Sequence, residues 1–174
     1  MKKYFKYFWY IVKHKWYVGI FCFKEGLYWR GIFHDMHKLR PFPFWAYANY
    51  FYGKNHEIKG KSETGYSKPS KTCDPNFDKA WLFHQKTQKH HYQFWILLED
   101  CGITKLIPMD EKYWKEMICD WYGASIATGH ANFTNYKENT RKWYLAHRPI
   151  IKISNDTRKS IEKMMGIDLH LEED

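Results

Sequence analysis

The chain has 174 residues, four widely spaced cysteines with no CxxC pair, and a formal net charge of +9 with histidines neutral. The length suits one domain with its own core, and the cysteine spacing signals no thiolate zinc knuckle and demands no oxidising compartment. No stretch reaches the roughly 18 apolar residues of a membrane span. The positive charge is spread along the chain, so it favours an anionic partner without specifying nucleic acid.

Apolar residues recur at helical spacing almost throughout, which predicts an all-α domain. Aromatics make up 20% of the chain, enough that some rings must be partly exposed or wall a pocket. A first helix is expected over about Tyr4 to Lys24. Lys6 and Lys13 interrupt its apolar run and no small-residue cleavage site follows, so it is read as a helix rather than a signal peptide. A cytoplasmic location is expected.

Gly26 and Gly31 flank the start of a second helix, expected to run to about Leu39 and to end at Pro41 and Pro43, because proline lacks the amide donor. A third is expected from Phe44 to Tyr52, stopping at Gly53. Residues 53–73 are rich in Lys, Ser and Gly and predict an exposed basic loop. Asp74-Pro75 has N-cap and first-turn chemistry for a fourth helix, expected to reach about Asp100 with Gly102 closing it. A fifth is expected from Pro108-Met109-Asp110 to Thr128. Asn135 and Glu138 have capping-box spacing for a sixth, and Ser154 or Asn155 opens a short last helix ending at Gly166. The four cysteines are expected reduced and mostly buried.

The residues able to do chemistry come in a definite order: His14, His34-Asp35, His84, His90-His91 and Asp120. Imidazole and carboxylate together suit Mn, Fe, Co, Ni or Zn, with Mg also admissible. His14 lies on the apolar face of the first helix. Neighbours on a helix diverge by about 100°, so His34 and Asp35 can share a centre only near a helix junction. Lys38 follows His34 by one turn and can neutralise developing negative charge. His37 is read as a surface group or a substrate contact. His84 and His91 are expected on one face of the fourth helix, with His90 turned away. Glu116 and Asp120 sit one turn apart on the fifth, and a carboxylate on an apolar face needs a metal or a basic partner.

This order resembles the H…HD…D signature of the HD superfamily of metal-dependent phosphohydrolases, carried by His14, His34-Asp35 and Asp120. With Lys38, His84 and His90-His91 it is similar to the two-metal HD-GYP order, and His34 to Lys38 fits HDxxK residue for residue. The GYP triad is absent, and His84 and His90 lie closer together than in that branch. Nearly the whole chain resembles a family of small phage and bacterial proteins known only as a domain of unknown function. That resemblance is carried by Tyr7 to Tyr17, Trp29 to Lys38, Tyr47 to Gly53, Phe77 to Trp95 and Pro108 to Trp121. A Ser-Glu-Phe usually follows the HD block in that family; Phe42-Pro43-Phe44 stands here, so an acidic group is missing.

The HD resemblance implies one HD-like bundle of six or seven helices over residues 1–174. It also implies a phosphohydrolase or phosphodiesterase acting on a nucleotide or related phosphate ester. In that scheme Asp35 bridges two divalent ions, one completed by His14, His34 and Asp120, the other by His84, His90 and His91. Lys38 and Glu116 assist catalysis. His37, Arg141, Arg148 and lysines between Lys54 and Lys71 are candidates to hold phosphate. Two alternatives share these residues: an HD-type di-iron oxygenase, and a non-catalytic phage protein that binds a nucleotide signal or a host protein. No membrane partner is expected, and the oligomeric state is not legible.

Overall fold

A computed structural model describes residues 1–53 and 74–167. The first helix, α1 (Lys2–Lys24), buries Tyr7, Ile11, His14, Val18, Phe21 and Cys22, spaced three or four residues apart along one face. It ends in a Schellman motif: Leu27 N–H bonds the Cys22 carbonyl at 2.8 Å and Gly26 N–H bonds that of Phe23 at 3.2 Å. Gly26 takes the left-handed φ of +73° that this cap requires.

The second helix, α2, is only Tyr28–Phe33, and the expected continuation to Leu39 is corrected. His34 adopts φ −50°, ψ 126°, Asp35 turns left-handed, and Met36–Leu39 form a 3-10 turn. Pro41 then opens α3 (Pro41–Tyr52) at its first turn. This proline starts a helix rather than ending one, since its missing N–H is an orphan donor there anyway.

The basic loop expected at 53–73 lies outside the described residues apart from Gly53, as do Cys73 and the candidate phosphate-binding lysines from Lys54 to Lys71. As expected, Asp74 caps α4 (Pro75–Thr87), its side chain accepting from Phe77 N–H at 3.1 Å. The helix stops thirteen residues short of Asp100, at Thr87. A turn carries His90 and His91, then a 3-10 segment, Tyr92–Trp95, leads into a hairpin of β1 (Ile96–Leu98) and β2 (Thr104–Leu106). The strands are antiparallel with Ile96 opposite Leu106. The turn is held from both sides: Trp95 Nε1 donates to the Lys89 carbonyl at 2.7 Å, and Lys86 Nζ to that of Gln93 at 3.1 Å. Gly102, expected to close a helix, lies between the strands with φ +82°.

Three helices complete the described fold: α5 (Glu111–Ala127), α6 (Tyr136–His147) and α7 (Asn155–Met164). The capping box at α6 is absent; Asn135 Oδ1 instead accepts from Asn132 N–H at 2.8 Å. Ser154 caps α7, accepting from Thr157 N–H. Cys22 and Cys119 are buried as expected, whereas Cys101 beside the hairpin turn is exposed.

The all-α class holds, with the hairpin as a small addition. Helix α1 packs against α5, α2 and α3; α3 also meets α4, and α5 meets α6 and α7. Two apolar clusters result. Tyr7, Ile11, Ala46, Tyr47, Tyr50 and Phe77 form one. Val18, Phe21, Met117, Ile118, Tyr144 and Ile161 belong to the other. On α1, His14 falls between Ile11 of the first and Val18 of the second, so a polar layer is enclosed between two apolar ones.

Glu162 anchors the distal end. Its Oε1 accepts from Tyr144 Oη and Arg148 Nε, each at 2.7 Å. Replacing Glu162 by alanine is expected to cost about 2 kcal/mol of stability, read by urea denaturation, because a buried charge-assisted network loses its acceptor.

Candidate metal centre

Asp35 is the pivot of the polar layer. It is fully buried and is the only described non-glycine residue with positive φ, at 56°. Aspartate tolerates this backbone better than most residues, though at a cost. The helix ends at Phe33 and the chain turns over at Asp35, so two adjacent side chains reach one space. Lys15 Nζ braces the turn by donating to the carbonyls of Ile32 and His34.

The two carboxylate oxygens of Asp35 face different partners. Oδ2 lies 3.7 Å from His14 Nε2 and 3.5 Å from His34 Nε2. Oδ1 lies 3.6 Å from His90 Nε2 and 3.8 Å from His84 Nδ1. Asp120, on α5, places Oδ1 3.1 Å from His14 Nε2 and 3.5 Å from His34 Nε2. Two groups with ligand atoms within 4.8 Å of one another stand out, His14-His34-Asp120 and His84-His90-His91. His34-Asp35-His90 and Asp35-His37-His84 also meet that spacing, so the groups adjoin through Asp35.

These are the residues singled out in the sequence, though by a different local structure. His84 is on α4, but His90 and His91 are on the turn after it, not on its face. His90 was expected to turn away; it is buried and within 3.9 Å of both Asp35 and Asp120. His37 was expected as a surface group or a substrate contact. It is buried, and its Nε2 lies 2.7 Å from His84 Nδ1, which leaves His84 Nε2 free to face His90 and His91. Arg141 is exposed on α6, and Arg148 is engaged by Glu162. Neither belongs to the His and Asp groups that could hold a metal.

Glu116 stands behind both groups. Its Oε1 lies 3.1 Å from His34 Nδ1 and 3.3 Å from His90 Nδ1, one imidazole from each side. Its Oε2 accepts from Arg30 Nη1 at 2.8 Å, and the Arg30 guanidinium stacks over the Tyr113 ring. Sequence reasoning missed Arg30 and Lys15. The available signals were position alone: Arg30 precedes His34 by one helical turn, and Lys15 adjoins His14.

The electrostatics fit a cation. Burial disfavours a charge on Asp35, yet His34 and Lys38 hold its pKa well below the usual carboxylate range. Asp120 is held down against burial by His14 and His34, and Glu116 against burial by His34 and His90. Burial, helped by Lys38 and His91, keeps His84 well below the usual imidazole range, and burial with His90 does the same for His91. Burial lowers His37 to about 4. Neutral imidazole is the form that ligates metal. Burial also works against a charge on His34, but Asp35, Asp120 and Glu116 outweigh it and lift its pKa.

The hydrogen bonding says the same. Among the described residues, Nε2 of His34, His84, His90 and His91 is buried without a hydrogen bond, as is Oδ1 of Asp35, whereas Oδ2 of Asp35 is ion-paired with Lys38. Buried polar atoms are normally satisfied, and a closed structural network would pair these donors and acceptors. A cluster aiming its free nitrogens and oxygens into one space has the donor chemistry of a divalent-metal site. Lys38 Nζ, 2.5 Å from Asp35 Oδ2 and partly exposed, stands at its edge.

A helical domain enclosing this layer defines the class: an all-α protein with a candidate metal centre. The chain belongs to DUF5662, a family of unknown function, whose family model matches residues 3–167. No curated protein and no solved structure matched the chain.

Glu116→Gln keeps the size of the side chain and removes its charge. We expect metal affinity, measured by chelator competition, to fall about 10- to 100-fold, the usual range for a lost partner behind a ligating imidazole.

Proposed function

We propose that the protein is a metal-dependent phosphohydrolase or phosphodiesterase acting on a nucleotide or related phosphate ester. The observation that supports this most is Asp35, which offers one carboxylate oxygen to each of two imidazole groups. His14, His34 and Asp120 would hold one divalent ion, His84, His90 and His91 a second, and Asp35 would serve both. The order of these residues resembles that of HD phosphohydrolases, which also favours the reading.

Bound divalent ions would supply a water nucleophile at neutral pH and polarise a phosphoryl oxygen. The chain's own residues do the rest. Glu116 fixes the rings of His34 and His90 through their Nδ1 atoms, and His37 fixes that of His84. Lys38, at the solvent side of Asp35, neutralises charge on a phosphoryl group arriving there. Tyr10 and Tyr47 stay protonated, their pKa values raised by burial and by the carboxylates.

Two measurements test the proposal. Metal content after purification without added metal is expected to be substantial. A screen of mono-, di- and cyclic nucleotides with Mn present is expected to reveal turnover. Metal-loaded protein inactive on all of them would move the assignment to a binding role.

A further inference from the structure

Helix α1 has two working faces. The inner one holds His14 in the polar layer. The outer one is apolar and bare: Phe5 is 65% and Trp16 68% exposed, with Phe8, Trp9 and Val12 between them. The surface continues onto α2 through Ile32, which is 47% exposed. Phe8, Val12, Trp16, Phe23, Ile32 and Leu39 line one open groove, so the surface is continuous across the helix pair. Monomeric soluble domains rarely leave so much contiguous apolar surface in water.

The charge around it is one-sided. Lys2, Lys6, Lys13 and Lys24 recur along one edge of the apolar stripe and are all exposed. Residues 1–53 contain nine Lys or Arg against two acids, Glu25 and Asp35, and Asp35 is buried in the metal centre. A second copy docking by its own equivalent face would oppose like charges with only Glu25 to answer them. Exposed Trp and Phe flanked by a lysine row match a bilayer interface. Aromatic rings settle at headgroup level there, and lysines meet anionic headgroups.

We propose that the outer face of α1, with Ile32 of α2, docks on an anionic phospholipid bilayer as a peripheral contact. No helix among the described residues is long and apolar enough to cross a membrane, and none needs to. The expectation of no membrane partner rested on the missing span and did not address surface attachment. The proposal is independent of the catalytic reading, because the docking residues and the metal centre lie on opposite faces of α1.

The test is co-sedimentation of the full chain with vesicles of phosphatidylcholine alone or mixed with phosphatidylglycerol. Binding is expected on the mixed vesicles, with partitioning at least about tenfold weaker on phosphatidylcholine alone and at high salt. Trp9→Ser with Trp16→Ser, and separately Lys6→Glu with Lys13→Glu, should each lower partitioning by about tenfold or more. All four positions are exposed, so helicity and metal content should not change. Equal binding to both vesicle types, or none to either, overturns the proposal. So does a dimer in light scattering that Trp16→Ser dissociates while vesicle binding is absent, which would make this face a self-association surface.

Discussion

Asp35→Ala is expected to bring metal content to background and to lower any phosphohydrolase rate by roughly a thousandfold or more, equivalent to the several kcal/mol that metal chemistry supplies. The reason is geometric. Each oxygen of Asp35 faces a different imidazole group, within 3.8 Å of His14 and His34 on one side and of His84 and His90 on the other. Glu116 also meets one imidazole of each group, but through their Nδ1 atoms, whereas Asp35 faces the Nε2 atoms of His14, His34 and His90. Alanine also strains the left-handed backbone, so Asp35→Asn is the better paired variant, because asparagine tolerates that conformation. Metal loss in both variants with unchanged helicity assigns the effect to the carboxylate. His91→Ala should remove metal from one group only, leaving about half the wild-type content. Elemental analysis that finds unchanged metal in Asp35→Ala and His91→Ala alike would defeat the two-ion proposal.

Gly123→Ala is expected to destabilise the protein by about 3 kcal/mol or more, at the upper end for overpacking. A Cβ on Gly123 would come within 2.5 Å of Val18 Cγ2 and 2.7 Å of Val18 N. The second contact is backbone, so no side-chain rotation relieves it. The roughly 1 kcal/mol gained from alanine's better helix propensity does not offset it. The clash forces α1 and α5 apart, and these helices carry His14 and Asp120, which lie 3.1 Å apart. Weaker metal retention should therefore accompany a lower unfolding midpoint. A midpoint equal to wild type would show that the two helices do not pack this closely.

Much of the fold was legible because it is locally encoded. The apolar spacing of α1, α5 and α7, and the Asp74-Pro75 and Ser154 starts, act within a few residues. The errors fell where a long-range contact overrode local preference. Nothing between Thr87 and Cys101 breaks a helix, since that stretch holds no proline or glycine. The chain nevertheless turns after Thr87, and the turn brings His90 to Asp35 and Glu116. The second helix ended early for a similar reason: His34 and Asp35 meet the same centre only after leaving it. Pro41 was placed correctly as a boundary and on the wrong side of it, because one residue serves to end a helix or to start the next.

Read alone, the amino-acid order determined the helical class, most helix boundaries, and which imidazoles and carboxylates to watch, since periodicity, capping and residue chemistry are local properties. Only the tertiary structure decided that Asp35 lies between two imidazole groups, that Glu116 bonds one ring from each, that Arg30 and His37 are their supports, and that one side of α1 is left bare. Those facts depend on distances between segments far apart in the chain, which the packing of α1 on α5 and α3 sets and no window of sequence contains.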